Sequence, residues 1–109
     1  MNERVRFSKL EEIEKTRLET GKGYHEFLRV PAMSAGIYVL PAGKEDPQQP
    51  HHEDEMYYVV RGRGRFTAGG ADQEVAAGSV IFVAAKVEHH FYNISEELEV
   101  VVFFAPAES

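Results

Sequence analysis

The stretch "EDPQQPHHEDEMYYVVRGRGRF", Glu45 to Phe66, decides how this chain folds. Its first half belongs to a turn-rich loop, "PAGKEDPQQP" at 41–50, and then carries two histidines and three acids up to Glu55. Its second half turns abruptly to β-forming residues, and "MYYVV" at 56–60 is apolar at every position. A strand with one wet face alternates apolar and polar residues, so an unbroken apolar run implies cover on both faces. The same holds for "VVVFF" at 100–104. In a small β domain the simplest cover for the outer face is a second copy of the chain, and a homodimer is expected.

Working outward, the texture from Gly23 onward is one of short β-rich runs punctuated by Gly, Pro and Asp. Strands are predicted at 24–30, 35–40, 55–61, 64–68, 73–76, 79–83, 89–94 and 99–104. "GRGRF" at 62–66 reads as a turn between two of them, because it lacks a full phosphate-binding glycine pattern and no helix follows. Before Gly23 the pattern changes. Ser8 with Glu11 three residues later resembles a capping box, and Leu10, Ile13 and Leu18 supply a thin apolar stripe, so a short surface helix is predicted. The chain therefore divides into an N-terminal helical segment, 1–22, and an all-β domain, 23–109, whose many short strands imply a sandwich or a barrel.

Composition narrows the chemistry. A chain of 109 residues accommodates one domain, and with 43% hydrophobic residues it can bury an ordinary core. The absence of cysteine removes disulfides, a thiolate nucleophile and sulfur-ligated metals. A formal net charge of −6 disfavours nucleic acid, and "RGRGR" at 61–65 is too short to reverse that. No apolar stretch has the length of a signal peptide or a membrane span, so a cytoplasmic protein without a membrane partner is expected.

His51 and Glu55 are four residues apart, which places both side chains on one face of an extended backbone, and Gln49 shares their parity. His52 has the opposite parity unless a bulge intervenes. In "AAKVEHHFYN", His89 and His90 again divide between the two faces, and a one-residue bulge would exchange them. Two imidazoles and a carboxylate meeting at one point suit iron(II), manganese, nickel or zinc with open positions for a substrate. From spacing alone, a metal site and a solvated polar loop remain open alternatives. Tyr38, Tyr57 and Phe91 share the inward parity, and Tyr57, two residues from Glu55, is the candidate catalytic side chain. His25 stands alone in an early strand and reads as a structural or exposed histidine.

The region from Pro41 to Phe104 resembles the conserved barrel of the cupin superfamily, a double-stranded β-helix of jelly-roll type. Gly43 opens the first motif, His51 precedes Glu55 at the family's distance, and six residues separate Glu55 from Gly62. The second motif is similar to "GSVIFVAAKVEHHFYN", in which Gly78, His89 and Asn93 match while Ala84 and Lys86 replace the usual Pro and Gly. Gln49 stands where the family places its first histidine, as in the related phosphomannose isomerases. The resemblance implies a divalent transition metal (Mn, Fe, Ni or Zn) held by Gln49, His51, Glu55 and His89. It implies either an enzyme of dioxygenase, isomerase or decarboxylase class acting on a small polar molecule, or a non-catalytic barrel that binds a sugar-like or carboxylate ligand.

Overall fold

A computed structural model describes residues 4–48 and 50–109 of the chain. Helix α1 spans Leu10–Thr20, and six strands follow: β1 (Tyr24–Val30), β2 (Met33–Leu40), β3 (Asp54–Ala68), β4 (Ala71–Ala76), β5 (Val80–Val83) and β6 (His89–Ala105). All pairings are antiparallel, in the order β1-β2-β6-β3-β4, with β5 paired to the first half of β3.

The eight short strands predicted from sequence are six, because two pairs of them are continuous. The runs 55–61 and 64–68 join in β3, and the runs 89–94 and 99–104 join in β6. No turn forms at "GRGRF". Instead the β3–β6 register shifts three times between Val59 and Arg65, and these irregularities let both long strands bend without breaking. Gly62 sits in the bend at φ 98°, with the Glu97 carbonyl against the place a Cβ would occupy. The bend curls a single sheet into a barrel whose interior holds Tyr57, Val59, Phe66, Phe91, Leu98, Val100, Val102 and Phe104. Tyr57, Phe66 and Phe91 meet there at ring-centroid separations of 4.7–5.6 Å, in the tilted and edge-on arrangements that aromatic quadrupoles favour.

Helix α1 starts one residue later than the capping-box reading requires. Lys9 is the N-cap and no side chain caps the first turn, so Ser8 does not cap it. At the other end Gly21, in the left-handed conformation, returns its N–H to the Leu18 carbonyl. The arginines of "RGRGR" all face carboxylates: Arg61 on Glu97 and Glu99, Arg63 on Glu96, Arg65 on Asp72 and Glu74. No helix among the described residues is long and apolar enough to cross a membrane.

One patch of the outer face of the barrel is apolar. Phe82, Met56 and Phe103 are register neighbours across β5, β3 and β6, and Val80, Tyr58 and Val101 form the next row. Met56, Tyr58, Val80, Phe82 and Phe103 are 37–62% exposed in the single chain.

Glu99 is an exception to this apolar surface. It is buried between Val39 and Arg61 in the register, and its carboxyl group meets that of Glu14 from α1. Glu99 is pushed up to about 7 by burial and by Glu14, against the pull of Arg61. The folded state thus keeps a proton that the unfolded chain releases above about 4.5. Stability is therefore expected to fall as pH rises through the interval between these values. Glu99→Gln should raise the melting temperature relative to wild type at about pH 8 and have less effect at about pH 5. Parallel melting curves for the two proteins across that range would exclude a raised Glu99 carboxyl.

Candidate metal site

β3 begins at Asp54, and from there its side chains alternate strictly: Glu55, Tyr57 and Val59 are buried, whereas Met56 and Tyr58 face out. β6 presents His89 and Phe91 inward and His90 outward. Just ahead of β3, His51 is half-buried at the barrel mouth and His52 is exposed. The backbone there is tied down by Lys86 N–H, which donates to the His51 carbonyl over 2.6 Å. Lys86 itself lies at φ 68°, which explains in physical terms why a glycine suits that position.

His51, Glu55 and His89 converge, each offering a ligand atom within 4.8 Å of the others. Glu55 Oε1 lies 2.6 Å from His89 Nε2 and 4.0 Å from His51 Nε2. Glu55 and His89 are each 3% exposed. Despite their proximity, Glu55 Oε1, Glu55 Oε2 and His89 Nε2 have no hydrogen-bond partner. Buried polar atoms left in this state are costly. His89 is oriented by its other nitrogen, Nδ1, 2.8 Å from the Val87 carbonyl, which directs Nε2 at Glu55. Burial pulls the His89 pKa down, but Glu55 and the Val87 carbonyl outweigh it and the net shift is upward.

A further group enters from the loop. Gln48 Oε1 accepts a hydrogen bond from Tyr57 Oη at 2.7 Å and lies 3.4 Å from His51 Nε2, while Gln48 Nε2 donates to Asp46 over 2.6 Å. Asp46 is itself buried and also accepts from Tyr38 Oη and from the Phe91 backbone N–H. With its NH2 claimed by a carboxylate, the Gln48 amide is fixed so that its oxygen faces the histidine. Two imidazole nitrogens, a carboxylate and an amide oxygen, three of their atoms orphaned, form a donor set that fits a divalent cation.

Gln49, the residue the motif singles out, lies outside the described residues. Gln48 and Asp46 escaped the sequence reading because they sit in a proline-flanked loop, where the two-residue period of a strand gives no guide. Tyr57 stands next to the cluster, its phenol kept protonated by burial and by the charge of Glu55, with its proton directed to Gln48. Tyr24, Tyr38, Gln48, His51, Tyr57 and Glu108 share a cavity of about 250 Å³ with Val102 and Phe104. Phe91 lies deeper, in the core, and does not line it. A larger groove of about 520 Å³ runs along Gly43–Asp46 and His90–Ile94, and among the described residues no ligand cluster opens into it. His25 is half-buried on β1, opposite Ile37 and far from the cluster in the register.

Residues 36–106 match the Cupin domain family. The chain belongs to the cupin family. An uncharacterised protein of Streptomyces coelicolor is 48% identical over 101 residues, 93% of this chain and 96% of its own length. Among solved cupins, one from Shewanella frigidimarina superposes with a TM-score of 0.71 at 21% identity, covering 77% of this chain and 75% of that one. The DMSP lyase DddQ from Ruegeria pomeroyi gives a TM-score of 0.65 at 19% identity, over 70% of this chain and 39% of its own. At these identities the structural likenesses establish the double-stranded β-helix fold alone. The possible metal group of this cupin lies inside that barrel, at the mouth.

Proposed function

We propose that this cupin is a metal-dependent enzyme in which His51, Glu55 and His89 hold a divalent transition metal and a small polar organic molecule binds beside it. The observation that carries this reading is the convergence of His51, Glu55 and His89 on one place, where the buried Glu55 Oε1 and His89 Nε2 face only each other and Glu55 Oε2 has no hydrogen-bond partner. Gln48 Oε1 stands ready as an oxygen donor from the loop, a role that the family motif would give to Gln49. A bound divalent ion would supply Lewis acidity or activation of a coordinated oxygen. The chain's own contribution is a pocket lined by the hydroxyls of Tyr24, Tyr38 and Tyr57 and, among the described residues, by no lysine or arginine. Such a pocket favours a neutral hydroxyl or carbonyl compound over a polyanion. Its volume lies below the roughly 300–1,000 Å³ typical of drug-sized ligands. Tyr57 Oη, two residues from Glu55, is the group that would hand a hydrogen bond to the ligand once it displaces Gln48.

Elemental analysis of protein purified without a tag or added metal tests this reading. Near-stoichiometric manganese, iron, nickel or zinc that is lost in His51→Ala is expected. Tyr57→Phe should keep the ion and lose about 10-fold in ligand affinity or turnover, the worth of one hydrogen bond. Absence of metal and no uptake from supplied ions would instead leave a metal-free binding barrel, whose ligand affinity survives chelator.

The same proposal includes a second copy of the chain on the outer face. Contiguous exposed apolar rows across β5, β3 and β6 mark an interaction surface, and a two-fold pair buries the same rows on both partners. Sedimentation at micromolar concentration should give a dimer for wild type and a monomer for Phe82→Asp. A monomeric wild type would remove this part of the proposal.

A further inference from the structure

The last residues of the chain are unusually well held. Ala107 N–H donates to the Pro31 carbonyl, Glu108 N–H to Ser34 Oγ at 2.9 Å, and Ser109 N–H to Glu53 Oε2 at 3.1 Å. Arg29, itself paired with Glu26, donates to the Glu108 carbonyl. Ser34 and Glu53 are both buried polar side chains, and these tail contacts are what satisfy them. End segments are ordinarily loose unless something ties them down. Here the ties cross from the β1–β2 hairpin to the loop before β3, and they place one side chain in the cavity: Glu108, whose Oε2 is 3.4 Å from His51 Nδ1.

The two ring nitrogens of His51 thus face different chemistry. Nε2 looks toward Glu55 and Gln48 Oε1, both lone-pair donors, and Nδ1 looks toward the Glu108 carboxylate. His89 has the matching arrangement, with Nδ1 on a carbonyl and Nε2 toward Glu55. We propose that Glu108 is a positioning residue: it accepts the Nδ1–H of His51 and so fixes the tautomer that presents the Nε2 lone pair to the metal group. The separation is a few tenths of an ångström beyond an ordinary N–H···O bond. A carboxylate behind a ligating imidazole orients the ring and raises its basicity, and loss of such a partner typically costs 10–100-fold in metal affinity. The role rests on the metal reading above for its purpose, whereas the tautomer can be read without any metal.

Nitrogen-15 correlation spectra of the metal-free protein, recorded well above the imidazole titration range, report the His51 tautomer directly. Wild type should carry the proton on Nδ1, and Glu108→Ala should move it to Nε2, where it can bond to Gln48 Oε1. Glu108→Gln, which retains an acceptor oxygen, should fall between them. Cobalt(II) titrated into the same proteins should bind Glu108→Ala about 10–100-fold more weakly than wild type, with the metal-free melting temperature of the two within a few degrees. A wild-type His51 protonated on Nε2, or a Glu108→Ala spectrum unchanged from wild type, overturns the proposal. Cobalt that binds none of the proteins, with the tautomer shift intact, defeats the metal reading and leaves the orienting role of Glu108 standing.

Discussion

Glu55→Gln should abolish metal binding and, at the same time, stabilise the metal-free protein. In the wild type the Glu55 carboxylate is buried, with Oε2 lacking any hydrogen-bond partner and Oε1 facing only His89 Nε2 at 2.6 Å. Above the imidazole range that arrangement has no internal counter-charge, and an isolated buried charge is unfavourable. A neutral amide of nearly the same shape relieves it, so the metal-free melting temperature should rise by a few degrees, on the order of 1 kcal/mol. Adding metal reverses the order of the two proteins. At a thousandfold excess over Kd, wild type should gain about 4 kcal/mol, or roughly 15 °C for a domain of this size. The variant lacks the only carboxylate in the cluster, and its affinity should drop by at least about 100-fold. Differential scanning fluorimetry with and without manganese or zinc reads both halves. If metal raises the two melting curves equally, Glu55 is not a ligand.

The second large effect concerns the bend. Gly62→Ala is expected to destabilise the fold by about 3 kcal/mol or more, lowering the melting temperature by at least about 12 °C. Two causes add. The backbone at φ 98° is outside the range that side chains readily adopt. A Cβ would also meet backbone atoms of β6, with the Glu97 carbonyl carbon and the Leu98 Cα both at 2.7 Å. Neither of these is the end of a flexible side chain that could swing aside. Because β3 and β6 supply Glu55 and His89, the strain should also loosen the metal group, and metal affinity should fall with stability. Arg63→Ala, one residue along on an exposed side chain, should change stability by less than about 0.5 kcal/mol. A folded Gly62→Ala protein melting near wild type would show that the bend does not depend on glycine.

Gly62 also marks the limit of what local pattern could reveal. Its spacing from Glu55 placed it correctly in the family motif, yet the run around it reads as a turn, because Gly-Arg-Gly satisfies turn chemistry as well as bulge chemistry. Only the register of β6 distinguishes them. The helix shows a similar ambiguity. The Ser8–Glu11 pair has the composition of a capping box, but the first turn forms from Lys9 without it.

Within the site, the residues on strands were legible and those on loops were not. A two-residue period carries Glu55, Tyr57 and His89 inward and Met56, Tyr58 and His90 outward, because successive side chains of a strand must point to opposite faces. That regularity, together with the two motif spacings, is a local property of the chain, and it determined the barrel and the inward histidine and carboxylate. Gln48 and Asp46 belong to a loop without such a period, and their orientation follows from bonds to Tyr57 and to the Phe91 backbone, 9 and 45 residues away. Glu108 reaches His51 from the far end of the sequence. Contacts between residues so distant are set by how the sheet curls and where the tail is tied, so the side chains around the ligand group were decided by the tertiary structure alone.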